Sequence, residues 1–288
     1  MQAEELNRII EGLRIWQRGD ERAPHKPLLI LFALGRLVRG DPRLMSYAGV
    51  KDDLRKLLIE FGPYRQTYSP GYPFVRLAND KIWEISGSKD IDTKKDWSDR
   101  ELIDNNTLGG FTEEVYSLLC DDRNLVRQIA EYILNSNFPD TIHQDILSQV
   151  GLELEPRGRL VRSPDFRNKV LSAYEYKCAV CGFNVRLGDT LVAVEAAHIK
   201  WHQAGGPDEI SNGIALCSMH HKLFDRGVFT LNDDMVFRVA EDAHMEEWLM
   251  RYNGKQIRKP QRPDYYPEDD FLYWHVREVF RGPARYYN

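Results

Sequence analysis

A surplus of positive charge and a long apolar run are both missing from this chain, and each absence excludes a class. Its 288 residues carry 39 Lys and Arg against 44 Asp and Glu, a formal net charge of -5. A globally basic nucleic-acid binder is therefore excluded, and affinity for a polyanion has to come from local positive surface. Two such stretches are Lys255-Gln-Ile-Arg258-Lys259-Pro-Gln-Arg262 and the tail Arg281-Gly-Pro-Ala-Arg285. The longest apolar run, Pro27 to Leu34, ends at Gly35-Arg36, far short of the roughly 20 residues that cross a bilayer. The first residues, Met1-Gln-Ala-Glu-Glu5, are acidic where a secretory leader is basic, so the expected compartment is the cytoplasm. Of four cysteines, three stand in metal-ligand spacing and the fourth, Cys120, is isolated at the end of an apolar stretch, where a buried, inert thiol is expected. No internal repeat or low-complexity tract is present.

What is present fits two domains of ordinary size. Leu6, Ile9, Ile10, Leu13 and Trp16 recur at helical spacing, and Pro27 suits the first turn of a second helix with a nearly continuous apolar face. A third helix is expected over 50–61, ending at Gly62-Pro63, and further helices near 111–119, 122–135 and 140–149. Residues 62–74, dense in Tyr, Pro and Gly, read as a rigid loop. Phe74–Ala78 and Lys81–Ile85 around Asn79-Asp80 read as a β-hairpin. The expected fold is thus α+β: a mainly helical N-terminal domain over 1–150 with one hairpin, a linker over 151–162, and a second domain over 163–288. In the second, Thr190 to Ala196 reads as a strand ending at His198, Ser211 to Phe224 as helical, and Val228–Leu231 with Met235–Val239 as a hairpin.

The chemistry concentrates between 178 and 221. Cys178-Ala-Val-Cys181 and Cys217-Ser-Met-His220 have the spacing of a tetrahedral zinc site whose three thiolates and one imidazole close the coordination shell. Such a zinc ion staples a fold. Left over are His198, Asn212 and His221, with the donor types needed for proton transfer and for a hard divalent cation.

That combination resembles the HNH endonucleases, over about 163–288, and specifically the branch whose strand ends Glu195-Ala-Ala-His198-Ile. Phe224-Asp225-Arg226-Gly227 and Trp274-His275-Val-Arg-Glu-Val-Phe280-Arg281 belong to the same likeness. The resemblance implies a ββα-metal unit in which His198 deprotonates water, Asn212 holds that imidazole through an amide hydrogen bond, and His221 ligates magnesium or manganese. Many relatives carry an acidic metal ligand immediately before the first histidine; here that place is Ala197, and Glu195 is the nearest carboxylate able to substitute. Asp225 reads as a capping or salt-bridge residue.

The first half has its own resemblance. Pro24-His25-Lys26-Pro27, Gly62-Pro63-Tyr64-Arg65, Tyr68-Ser-Pro-Gly71-Tyr72-Pro73-Phe74, Leu77-Ala-Asn79-Asp80-Lys81-Ile-Trp83 and Gly109-Gly110-Phe111 resemble the sulfur-binding domain of phosphorothioation-dependent restriction endonucleases of the type IV, McrA-like kind. By that resemblance Tyr72 and Pro73 line an apolar cup for sulfur, His25 and Lys26 bind a phosphate at a helix N-terminus, and Arg65 and Arg100 face bases or backbone. Sulfur is a poor hydrogen-bond acceptor. A hydrated phosphoryl oxygen moved into such a cup loses water without gaining a donor, at a cost of a few kcal/mol. The implied partner is double-stranded DNA carrying phosphorothioate. Two rival readings are a nuclease directed to another modification, such as methylcytosine, and a zinc-stabilised DNA-binding regulator that does not cut. Cleavage of both strands by single HNH units would be natural for a homodimer, although no heptad repeat marks an interface.

Overall fold

Apolar periodicity sets most helices of the first half, as seen in a computed structural model that describes residues 1–13, 21–154, 164–232, 234–244 and 247–283. The chain divides into two units, Met1–Asn137 with His143–Pro156, and Phe138–Ile142 with Arg157–Asn288. Most of the stretch read as a linker, and Trp16 of the first helix, lie outside the described residues.

In the first unit, α1 (Ala3–Glu11) leads to α2 (His25–Arg39), in which every residue from Pro27 to Gly35 is buried. The strand β1 (Met45–Ser46) runs into α3 (Tyr47–Phe61), and α3 is followed by α4 (Gly71–Arg76) and a short 3-10 turn, Leu77–Asp80. Then come β2 (Trp83–Ser86), α5 (Asp99–Asp104), β3 (Leu108–Phe111), α6 (Glu113–Asp121), α7 (Arg123–Asn137) and α8 (His143–Val150). The three strands form one antiparallel sheet in the order β1-β3-β2, with Met45 opposite Gly109 and Trp83 opposite Phe111.

The expected hairpin over 74–85 is not there. Phe74, Val75 and Leu77 bury one side of a helix, because Pro73 is tolerated in a first helical turn and Pro70-Gly71 starts one. Lys81, at φ 64°, ends the turn that follows. The partner of β2 comes from β3, more than twenty residues on, a non-local pairing that local alternation cannot reveal. An aromatic chain ties this sheet to α3 and α4: Tyr47 to Phe74 at 5.1 Å, Phe74 to Trp83 at 5.7 Å, Trp83 to Phe111 at 5.8 Å between ring centroids. Gly110 is required where β3 crosses the Arg43 carbonyl, since a Cβ there would sit 2.2 Å from that oxygen. Cys120, expected to be buried, is exposed on α6, whose core side is filled by Val115 and Leu119.

The second unit takes in the short 3-10 turn Asp140–Ile142 and then runs through α9 (Pro164–Ala173), β4 (Val185–Leu187), β5 (Thr190–Val192), β6 (Val194–His198), β7 (Gly213–Cys217) and α10 (Ser218–Asp225). It closes with β8 (Phe229–Leu231), β9 (Phe237–Val239), α11 (Glu247–Met250) and α12 (Asp269–Glu278). Two expectations fail in this unit. The strand over 190–196 is broken at Ala193, φ 55°, so β5 pairs with β4 and β6 with β7. Residues 213–217, read as the start of a helix, are a strand in full register with β6, from Val194 opposite Cys217 to His198 opposite Gly213. A short, continuously apolar run carries no period that separates a buried strand from a buried helix. The β6-β7-α10 sequence is nevertheless the ββα order that the resemblance implied. No helix among the described residues is long and apolar enough to cross a membrane.

Candidate functional sites

The register of β6 on β7 explains why two chemistries lie side by side on α10. Cys217 ends β7, His220 and His221 fall in the first turn of α10, and Cys178 and Cys181 come from the loop after α9. One donor atom from each of Cys178, Cys181, Cys217 and His220 lies within 4.8 Å of every other. His220 turns Nδ1 toward the sulfurs, 3.1 Å from Cys217 Sγ and 3.6 Å from Cys178 Sγ. Donors around a tetrahedral zinc at about 2.0–2.3 Å lie roughly 4 Å apart, close to the 4.8 Å that bounds this cluster, so these three thiolates and one imidazole could hold a zinc ion. Cys178, Cys217 and His220 are buried, which suits a closed structural site better than an open catalytic one.

Consecutive residues on one helix turn point differently, so His221 looks away from that cluster. Its Nδ1 is 2.7 Å from Glu195 Oε2 and its Nε2 is 3.3 Å from Asp225 Oδ2, one helical turn on. Glu195 also accepts from the Ser218 hydroxyl at 3.1 Å, and Asp225 accepts from the Thr141 hydroxyl. A neutral imidazole has one N–H for two carboxylates. The arrangement therefore suits an imidazolium, or a divalent cation shared between the ring and a carboxylate. Glu195, the carboxylate expected to substitute at the place of Ala197, thus stands beside His221.

His198 ends β6 and is 4% exposed. Its ring stacks on Phe166 of α9 at 4.0 Å and 14° between planes, and its Nε2 is 2.8 Å from Asp208 Oδ1. The expected amide bond from Asn212 to this imidazole is not formed. Both Asn212 amide hydrogens are used, on Lys200 O at 3.0 Å and Pro207 O at 2.9 Å, and its Oδ1 accepts the Lys200 N–H at 2.8 Å. Asn212 is fully buried and pins the loop from 200 to 207; its backbone oxygen also accepts the Ile199 N–H at 2.9 Å. Sequence reasoning misses Asp208 and Thr141. Asp208 lies ten residues past His198 in a Gly-Gly-Pro-Asp loop with no periodic signal, and Thr141 lies far upstream of the site it joins.

In the first unit, His25 and Lys26 open α2 as expected. Burial, followed by the nearby Arg65 and Arg22 guanidiniums, lowers the His25 pKa from 6.5 to about 4, so the ring is neutral near pH 7. Lys26 forms an ion pair with Asp80, both side chains being largely buried. Arg65 donates through Nη1 to Tyr64 O at 2.8 Å, and its backbone N–H donates to the Tyr68 hydroxyl at 3.0 Å, which in turn donates to Pro63 O at 3.2 Å. Tyr72 is 47% exposed on α4, with the Arg76 guanidinium 5.0 Å from its ring centroid. Pro73, expected to line an open cup beside it, is buried. Arg100, almost fully exposed, sits on α5 with Asp104 Oδ2 3.6 Å away. α5 adjoins the start of α4, since Leu102 Cδ1 is 2.7 Å from where a Gly71 Cβ would be.

The His25 environment has a measurable consequence. The folded pKa lies below the unfolded value, so the unfolded chain binds more protons between pH 6.5 and 4, and stability falls as pH drops through that window. The loss attributable to His25 should be at most about 3 kcal/mol. Urea titrations at several pH values should show the wild type losing stability relative to His25→Gln by up to about 3 kcal/mol between pH 6.5 and 4; parallel curves would contradict this environment.

Two stretches of the chain match known families. Residues 3–155 match the family described as ScoMcrA-like, DNA sulfur-binding domain, and residues 178–232 match the HNH endonuclease family. Among solved structures, the sulfur binding domain of SprMcrA complexed with phosphorothioated DNA shares 22% identity, covering 53% of this chain and 95% of that one at a TM-score of 0.47. The corresponding domain of ScoMcrA, also complexed with phosphorothioated DNA, shares 22% identity over 50% of this chain and 94% of that one, TM-score 0.42. The modification dependent TagI restriction endonuclease shares 24% identity over 44% of this chain and 41% of that one, TM-score 0.31. No curated protein matches this chain.

Proposed function

This chain belongs to the ScoMcrA-like DNA sulfur-binding domain family, and from that membership we propose that it is a modification-dependent restriction endonuclease, binding phosphorothioated double-stranded DNA through its first unit and hydrolysing phosphodiester bonds with its second. The carrying observation is that one chain holds a sulfur-binding family match over 3–155 and an HNH match over 178–232 whose histidines stand among carboxylates on a ββα scaffold. Tyr72 offers an exposed aromatic face at the start of α4, next in the chain to the buried Pro73. That surface suits a polarisable sulfur and leaves an ordinary phosphoryl oxygen without a donor. His25 and Lys26 open α2 with the Arg65 guanidinium nearby; the neutral His25 ring can donate a hydrogen bond, and Arg65 with the helix N–H groups favours a phosphate. Arg100 would reach backbone or a base edge from α5.

In the second unit, Cys178, Cys181, Cys217 and His220 would hold structural zinc, and His221 with Glu195 would hold magnesium or manganese. A bound divalent cation supplies charge neutralisation at the phosphoryl and leaving oxygens. His198 takes the proton of the attacking water. The protein would act in the cytoplasm, and a homodimer would bring one site to each strand.

Matched phosphorothioated and unmodified plasmids, incubated with and without EDTA, test this reading. Metal-dependent cutting of the modified plasmid alone is expected. Tyr72→Ala should shrink the affinity ratio between the two DNAs by at least about tenfold, the effect of one lost apolar contact of a few kcal/mol. Equal cutting of both plasmids would reject sulfur recognition, and no cutting of either would favour the regulator.

A further inference from the structure

The second unit contains a carboxylate to which neither family match gives a role, that of Asp208, whose Oδ1 is 2.8 Å from His198 Nε2. Resting on the nuclease reading above, we propose that Asp208 is the positioning residue for His198, holding its proton on Nε2 and so presenting the Nδ1 lone pair as the base. An ionised carboxylate only accepts hydrogen bonds, so a ring nitrogen at that distance is the donor, and the other nitrogen of the neutral ring then carries the lone pair. Two further contacts make the arrangement rigid. The Phe166 ring, 4.0 Å away and nearly parallel, sets the plane of the imidazole. The loop that presents Asp208 is closed by the Asn212 amide through Lys200 and Pro207. At Gly206 this loop passes so near the Lys200 carbonyl that a Cβ would be 1.9 Å from the oxygen. Asn212 therefore acts on His198 at one remove, by placing Asp208. In the reaction, the water proton moves to Nδ1 and the hydroxide oxygen bonds to phosphorus. The ester P–O bond then breaks, and its electron pair leaves on the departing oxygen, which takes a proton from solvent.

Asp208→Asn tests the assignment, because an amide can donate to Nε2 and so drive the ring to the opposite tautomer. Long-range proton–nitrogen spectra of the full chain labelled with 15N-histidine, with His198 assigned from His198→Gln, read the tautomer without reference to cleavage. Expected are an Nε2–H ring in the wild type and an Nδ1–H ring in Asp208→Asn. The same variant should lower kcat about 10²-fold or more, with DNA affinity within about twofold of wild type, and Asp208→Glu should recover part of the rate. A wild-type ring protonated on Nδ1, a tautomer unmoved by Asp208→Asn, or unchanged kcat with a switched tautomer would each overturn the proposal. If the tautomer switches as stated but the wild type cuts no DNA, the nuclease reading falls while the hold of Asp208 on the imidazole is upheld.

Discussion

Cys217→Ser is expected to abolish the cooperative unfolding of the second unit and cleavage together, while the first unit goes on binding DNA. Cys217 serves three structural purposes at once: it closes the register of β7 on β6 opposite Val194, it immediately precedes α10, and its sulfur belongs to the four-donor cluster. The cluster joins the loop after α9 to α10, which the chain otherwise connects only through the intervening strands and loops. Zinc bound only by the folded state contributes its binding free energy directly to folding, about 10–16 kcal/mol in small zinc peptides. That is as large as the total stability of an ordinary domain, about 5–15 kcal/mol. Serine keeps the size of the side chain but is a far poorer zinc ligand, so the loss would come from coordination rather than from a cavity. Calorimetry should show the second transition lost or lowered by well over about 10 °C, and elemental analysis should show zinc falling from one per chain toward none. A Cys217→Ser protein that keeps its zinc and both transitions would remove the structural role argued for this cluster. The accompanying loss of cleavage follows from geometry, because α10 carries His221 in the same turn as His220.

How far the sequence reveals this arrangement depends on how local each feature is. The four-donor cluster follows from spacing, because two knuckles each confined to four residues fold the same way wherever they are placed. α2 and α3 follow from apolar patterning alone. The strand β7 does not, since five consecutive buried residues look alike in either secondary structure and only pairing with β6 decides. The partner of β2 is non-local for the same reason. Within the site, His198, Asn212 and His221 are legible through the motif, whereas the bonds they make are not. Asn212 spends its amide on backbone groups of a loop whose path is set by glycine and proline, and Asp208 reaches the imidazole only once that loop closes. Glu195 is the intermediate case. Its place on a strand says little about its reach, and the placement of α10 across β6 brings it to 2.7 Å from His221. Pro73 looks like a surface ring in a Tyr-Pro-Gly loop but is buried, because the loop winds into α4.

His198→Ala should have the largest catalytic effect, a loss of cleavage rate of about 10²–10⁴-fold, the range of a general base removed from proton transfer. The side chain is buried, stacked on Phe166 and 2.8 Å from the Asp208 carboxylate. Binding of phosphorothioated DNA by the first unit is expected to stay within about twofold, since His198 belongs to the other unit. That separates His198→Ala from Tyr72→Ala, which should weaken selection with the scissile chemistry intact. It also separates it from His221→Ala, whose lost rate should be partly recovered by raising the manganese concentration, because a weakened cation site can be refilled by mass action while a missing base cannot. Three single-turnover rate series across a manganese titration, with DNA affinity measured alongside, decide the matter. If His198→Ala cleaves at close to the wild-type rate, the proton must leave the water by another route and the assignment of the base is wrong; if its rate instead climbs with manganese as His221→Ala does, His198 belongs with the cation rather than with the water.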